Sequence, residues 1–307
     1  MTKISEKKIL DQLKELKDSY ETQSFFDPDA KLLDSIFFED KEYFKLALCA
    51  SDDAMKYAPE QFKGDKDIAE LAASRNYLNL EHVSNELKAD KEFMEKIISR
   101  EGFALRFLPK ELLLDQEYLS RFRDHEVAWL LEEDGPEELK QNREFVLKYI
   151  GFLGHAYRFL PDEIKNDREI ALKACRSNGN AMEHVPDLFK NDKDFVLNVV
   201  KADGQAIEFA AKELLSDKEI ATAAMGRFGG SIKYLDKKLR SDKDIILAGV
   251  LSCSNVNDVW HCMADELRSD KEFMKKLLFV DIHTFDHLDK DLRKDPELKL
   301  IYKVLSM

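Results

Sequence analysis

The phrase NDREIAL, Asn166 to Leu172, returns almost unchanged as NDKDFVL, Asn191 to Leu197, 25 positions later. The same pattern, an Asp followed two positions on by an acid and then an apolar residue, starts at Asp40, Asp65, Asp90, Asp115, Asp167, Asp192, Asp217, Asp242, Asp270 and Asp295, with Asn142 filling the one gap. Successive starts are 25 residues apart, except for 27 after Asp115 and 28 after Asp242. A fixed period of this length is the mark of a stacked repeat array, and it excludes most other ways of folding a chain of 307 residues.

Each column of the repeat, numbered from the starting Asp, has a physical reading. That Asp is an N-cap whose carboxylate accepts from free amides of the first helical turn. The acid at +2 favours the positive end of the helix dipole. Apolar residues at +3, +4, +7 and +8, such as Phe195, Val196, Val199 and Val200, make one face of a helix of about three turns. Gly102, Gly154, Gly179, Gly204 and Gly229 stand at +12, where a helix C-cap with positive φ is expected. A second, shorter helix with a small residue at +14 follows, and Pro59, Pro109, Pro161 and Pro186 at +19 restart a final turn that buries +22.

One unit is therefore a helical hairpin that must lean on its neighbours. The predicted fold is all-α, an α-solenoid of ten to eleven hairpin repeats. Helices packed 8–10 Å apart would make ten units an arc on the order of 100 Å long. Residues 1–39 read as N-terminal capping helices, 40–294 as the repeat array with irregular units at 115–141 and 242–269, and 295–307 as a C-terminal capping helix with Pro296 at its first position.

The unit D-K/R-E-φ-φ-x-x-A … N/D-G-x-A-φ-x-φ-φ, with φ an apolar residue, resembles a repeat family described as domain of unknown function 4116. The likeness covers roughly residues 40–294, is best over 142–241 and is weakest in the units starting at Asp115 and Asp242. It implies a helical repeat array and carries over no catalytic residues, because the family has no established activity.

Composition narrows the function classes. The net charge of −13 disfavours a nucleic-acid backbone as partner and suits a protein or peptide with a basic surface. Capping acids at positions 0 and +2 account for about a third of the 61 acidic residues without any partner. Cations recur at +1 and +6 (Lys96, Lys148, Lys173, Lys276), beside acids that cancel most of their field. The N-terminus lacks the apolar run of a secretory signal, no stretch reaches the roughly 18 apolar residues of a membrane span, and Cys49, Cys175, Cys253 and Cys262 follow no disulfide spacing. The expected location is cytoplasmic.

No catalytic motif, cofactor or metal centre is expected. GRFGGS (226–231) is a hairpin turn once Gly229 is placed at +12, and HEVAW (125–129) lacks the second His of a zincin helix. His283 with His287 at i, i+4, and Cys253 with His261 and Cys262, are thin metal suggestions without further ligands. His82, His184 and His287 share column +17 with Tyr57, Phe107, Phe159, Phe209 and Tyr234, which reads as a packed ring.

The informative departures are apolar residues in the turn columns +9 to +13, namely Leu78, Phe103, Phe152, Leu153, Phe228 and Leu251, and the two tryptophans, Trp129 and Trp260, in the irregular units. Exposed, the turn residues would form a binding ridge; folded over the adjacent unit, they would be packing. The tryptophans are either anchors for a partner or rings filling the gap opened by an insertion. The expected function is an intracellular protein- or peptide-binding scaffold without catalysis, using the turn ridge or a concave face. The alternatives are an enzyme or ligand-binding protein with a site near Trp129 or Trp260, and weak nucleic-acid binding.

Overall fold

The computed structural model describes residues 40–50, 54–252 and 256–307; the N-terminal cap expected at 1–39 lies outside them, as does Cys253. The chain forms two compact units, one ending at Leu130 and the other beginning at Leu131. Every regular element among the described residues is helical.

The first helices of the repeats are α1 (Lys41–Ala50), α2 (Lys66–Arg75), α3 (Lys91–Ile98) and α4 (Gln116–Leu119) in the first unit. In the second they are α5 (Arg143–Tyr149), α6 (Arg168–Ser177), α7 (Lys193–Ala202), α8 (Lys218–Met225), α9 (Lys243–Ser252), α10 (Lys271–Val280) and α11 (Pro296–Leu305). Within each unit successive first helices pack side by side, and the elements that follow them form a second layer. The extensive contacts run within a repeat or between adjacent ones, as a stacked array requires.

The capping column behaves as its chemistry demands. Asp65 accepts from the amides of Asp67 and Ile68, Asp90 from Phe93, Asp192 from Phe195, and Asn142 from Phe145. The cap also has a second function. One carboxylate oxygen holds the amides while the other takes the +1 cation of the preceding repeat: Lys41–Asp65 at 2.7 Å, Lys66–Asp90 at 2.6 Å, Arg143–Asp167 at 2.6 Å, Lys193–Asp217 at 2.8 Å and Lys271–Asp295 at 2.9 Å. Such a ladder needs a carboxylate rather than Ser or Thr, which explains why the column is Asp. The single uncharged cap, Asn142, follows the single uncharged +1 residue before a further cap, Gln116.

Protonation would cost the array both contacts at once. The Lys66 ammonium and the Phe93 amide hold Asp90 below its ordinary range; the Phe195 amide and Arg168 do the same for Asp192, and Lys218 for Asp242. A carboxyl depressed in the folded state contributes stability above its unfolded value, about 3.9, and loses it as pH falls through the folded value. The urea midpoint should therefore be nearly flat from about pH 7 to 5 and fall below about pH 4. An unchanged midpoint between pH 5 and 3 would remove the caps from the account of stability.

Two expectations need correction. The glycines at +12 are not left-handed C-caps, since no described glycine has positive φ. They open the next element instead, and two of them show why no larger residue fits. A Cβ on Gly154 would lie 2.4 Å from the Ala174 carbonyl oxygen of the next repeat, and one on Gly204 would lie 2.3 Å from that of Ala224. The glycine is there for close approach between repeats. The second helix is also not α-helical: Gly102–Phe107, Gly154–Phe159, Gly179–His184 and Gly204–Phe209 are 3₁₀ helices. Six residues between the packed glycine and the next proline leave room for this tighter winding and little more.

A short third helix closes each regular unit, with Pro59, Pro109, Pro161 and Pro186 as extended N-cap residues. Its cation at +23 reaches back to the carbonyl at the end of the 3₁₀ helix: Lys88 to Glu81 at 2.9 Å, Lys165 to Arg158 at 2.9 Å and Lys190 to Glu183 at 2.7 Å. These bonds satisfy helix-end acceptors and tie the third helix to the second. Among the described residues no helix is long and apolar enough to cross a membrane.

Candidate interaction surface

The 3₁₀ layer carries the turn residues to an edge of the fold, and in the first unit it gathers aromatic rings there. Tyr77 opens the 3₁₀ helix Tyr77–His82, Phe103 is second in Gly102–Phe107, and Trp129 is second in Ala128–Leu131. Because these elements repeat in register, the three rings meet. Tyr77 and Phe103 stack with centroids 6.1 Å apart, and Phe103 meets Trp129 edge-on at 4.8 Å. Phe103 stays 40% exposed and Trp129 38%, while Tyr77 is half-buried, so the row is most open at Phe103 and Trp129. Leu78 is exposed beside it.

The irregular repeat starting at Asp115 positions Trp129. Its first helix is a single turn, Gln116–Leu119, and a further turn, Asp124–Val127, precedes the tryptophan. The Glu126 side chain is buried over Gly102, its carboxylate paired with the Arg123 guanidinium and accepting from the Arg123 amide at 3.2 Å. This satisfied buried acid fixes the turn that delivers Trp129 to Phe103.

Tyr77 was not among the residues singled out from sequence. The signal was present: it stands at +12, where five other repeats have glycine. A ring in that column has to leave the interface between repeats and reach the edge.

In the second unit Phe152, Phe228 and Leu251 are exposed and Leu153 is half-buried. Phe152 and Phe228 belong to repeats three steps apart, so they form no cluster comparable to the aromatic row. The Phe228 ring packs against Gly230, where an added Cβ would come within 2.7 Å of it. Leu251, 66% exposed, belongs to a different, helical surface.

Trp260 is a correction. It is only 7% exposed, in the short helix Asn257–Trp260, with its ring 5.5 Å from that of His287. The three-residue insertion after Asp242 has replaced a 3₁₀ helix by an α-turn, and the indole fills the resulting space. It presents nothing to a partner. His287 is thereby a packing residue, and His283 lies 3.8 Å from Asp286. Among the described residues no group of three or more His, Cys, Asp or Glu is arranged to hold a metal ion.

Fold and surface together define an all-α helical-repeat protein. The family model "Domain of unknown function (DUF4116)" matches residues 40–88, 65–113, 142–190, 167–215 and 217–258, well over half of the chain. The chain belongs to that family. Each match spans about two repeats, and the segment with Trp129 lies between matches. No curated protein and no solved structure matches the chain.

Proposed function

We propose that the protein is a non-catalytic binding scaffold that grips a protein or peptide segment along the row Tyr77–Phe103–Trp129. The observation that carries this reading is the meeting of three rings from successive repeats at an open edge, two of them more than a third exposed. Large aromatic rings supply contact area at low entropic cost and dominate interface hot spots. A row rather than a pit fits an elongated segment, with each repeat contributing one contact. Leu78 extends the apolar strip, while Phe152 and Phe228 are separate surface points.

The test uses the full chain as bait in extract of the native host. Phe103→Ala with Trp129→Ala should leave the helical signal and thermal midpoint close to wild type, because both rings are partly exposed, and should remove the captured partner. Trp260→Phe makes Trp129 the sole indole reporter, so partner binding should shift its emission to shorter wavelength. Capture unaffected by the double substitution, with no emission change, would end this reading.

A further inference from the structure

The second unit carries another surface, and its charge runs against that of the whole protein. The outward positions of each first helix divide along its axis. The +2 acid sits at the N-terminal end, where it joins the inter-repeat ladder: Arg143 reaches Glu169 at 2.9 Å and Lys193 reaches Glu219 at 3.0 Å. Columns +5, +6, +9 and +10 occupy the C-terminal half. In the repeats starting at Asn142, Asp167, Asp192, Asp217, Asp242, Asp270 and Asp295 these columns, which in two of them fall just past the end of the helix, contain no acid at all.

The contrast with the first unit is sharp. There column +5 holds Glu70 and Glu95, and they neutralise neighbouring cations, with Lys96–Glu70 at 2.5 Å and Arg121–Glu95 at 2.9 Å. In the second unit the same column holds Leu147, Leu172 and Leu197, and the cations remain. Lys173 and Arg227 donate to the Leu147 and Ala202 carbonyls near the ends of the preceding helices, an ordinary use of a cation. Arg176, Lys201 and Lys276 are exposed and, among the described residues, have no ion-pair partner.

Farther along the same columns the surface turns apolar. Leu251, Phe279 and Val304 occupy +9 in three successive helices and are each more than 60% exposed; Leu300 lies one turn from Val304. Packed helices are about 8–10 Å apart, so this is a strip of cations on a leucine floor that continues into a bare apolar row.

We infer that this face binds an acidic peptide segment bearing bulky apolar residues. Carboxylates would meet Arg176, Lys201 and Lys276, and leucine- or phenylalanine-like side chains would cover the Leu251–Phe279–Val304 row. Of the +2 acids that would repel such a ligand, Glu169, Glu219, Asp244 and Glu297 are paired with cations of the preceding repeat. Glu169 and Asp194 stand seven residues from Arg176 and Lys201, about 10 Å along the helix and beyond the roughly 8 Å reach of fields in physiological salt, while Glu272 is nearer to Lys276, one helical turn away. A nucleic acid fits less well. Its charge density is uniform, whereas half of this strip is uncharged, and in its columns only Phe152 and Phe279, far apart in the array, offer a ring for bases to stack on. The surface is independent of the aromatic row, which lies in the other unit.

The test is selection of a random 12-residue peptide library displayed on phage against the full-length protein. Enriched sequences should be rich in Asp and Glu interleaved with Leu, Phe or Ile. The charge-reversed variant Arg176→Glu, Lys201→Glu, Lys276→Glu alters exposed side chains only. It should fold normally and bind the selected peptides at least about tenfold more weakly, and Leu251→Ser with Phe279→Ser should weaken them likewise. Phe103→Ala with Trp129→Ala should leave these peptides bound, which separates this surface from the aromatic row. Enrichment of basic or uncharged sequences, no enrichment, binding indifferent to charge reversal, or tighter binding of a single-stranded oligonucleotide would each overturn the inference.

Discussion

Gly204→Ala is expected to lower unfolding stability by about 3 kcal/mol, the cost of forcing extra volume into a packed interior. The reason is local and rigid. The added methyl would lie 2.3 Å from the Ala224 carbonyl oxygen and 3.0 Å from the Phe228 amide nitrogen, both backbone atoms of the next repeat. A flexible side chain could swing aside; a backbone held by its own helix cannot. The two repeats must separate locally, and that opens the apolar contacts around Ile207 and Met225, which are fully buried. Gly64→Ala is the matched control. A Cβ there meets only the Ser84 hydroxyl at 3.8 Å, and the backbone angles, φ −95° and ψ 0°, suit alanine. That substitution should change stability by no more than about 0.5 kcal/mol, in the stabilising direction through the unfolded chain. Urea titration of the two variants decides the matter. Equal effects would mean that close approach between repeats does not explain the glycine column.

Phe195→Ala should cost about 4 kcal/mol, in the range for a fully buried ring. Phe195 links two repeats. It stacks on Phe189 of the preceding repeat with centroids 5.3 Å apart and planes 18° apart, and the Arg168 guanidinium lies 5.6 Å from its centroid. In a stacked array stability is a sum of terms within repeats and between neighbours. Losing this much from one interface should uncouple the repeats on either side, so unfolding should divide into two transitions and hydrogen exchange should speed up first around α6 and α7. Phe195→Leu, which retains most of the volume, should lose less than about 1.5 kcal/mol and keep one transition. A single cooperative transition for Phe195→Ala, with a loss below about 1 kcal/mol, would show that this contact is not what couples the repeats.

The sequence made the caps legible because a cap is local chemistry. An Asp before an apolar period has one sensible use, and Asp65, Asp192 and Asp295 all have it. The ladder between repeats was legible as well, in the coincidence of Gln116 with Asn142, but reading it requires knowing that +1 of one repeat faces position 0 of the next. The aromatic row was half legible. Phe103 and Trp129 stood out by type and column, whereas Tyr77 became meaningful only once its register placed it beside Phe103.

What the sequence by itself determined is the helical repeat, its period and its capping chemistry, because these depend on residues a few positions apart. Only the tertiary structure decided what the +12 glycines are for, which tryptophan is buried, and which cations lack an acid beside them. Each of those depends on the neighbouring repeat: the Ala224 carbonyl limits Gly204, the His287 ring covers Trp260, and Glu70 neutralises Lys96 where Leu147 leaves Lys173 without a carboxylate. A column in one repeat acquires its meaning from the column it faces in the next, and that pairing is set by stacking geometry rather than by order along the chain.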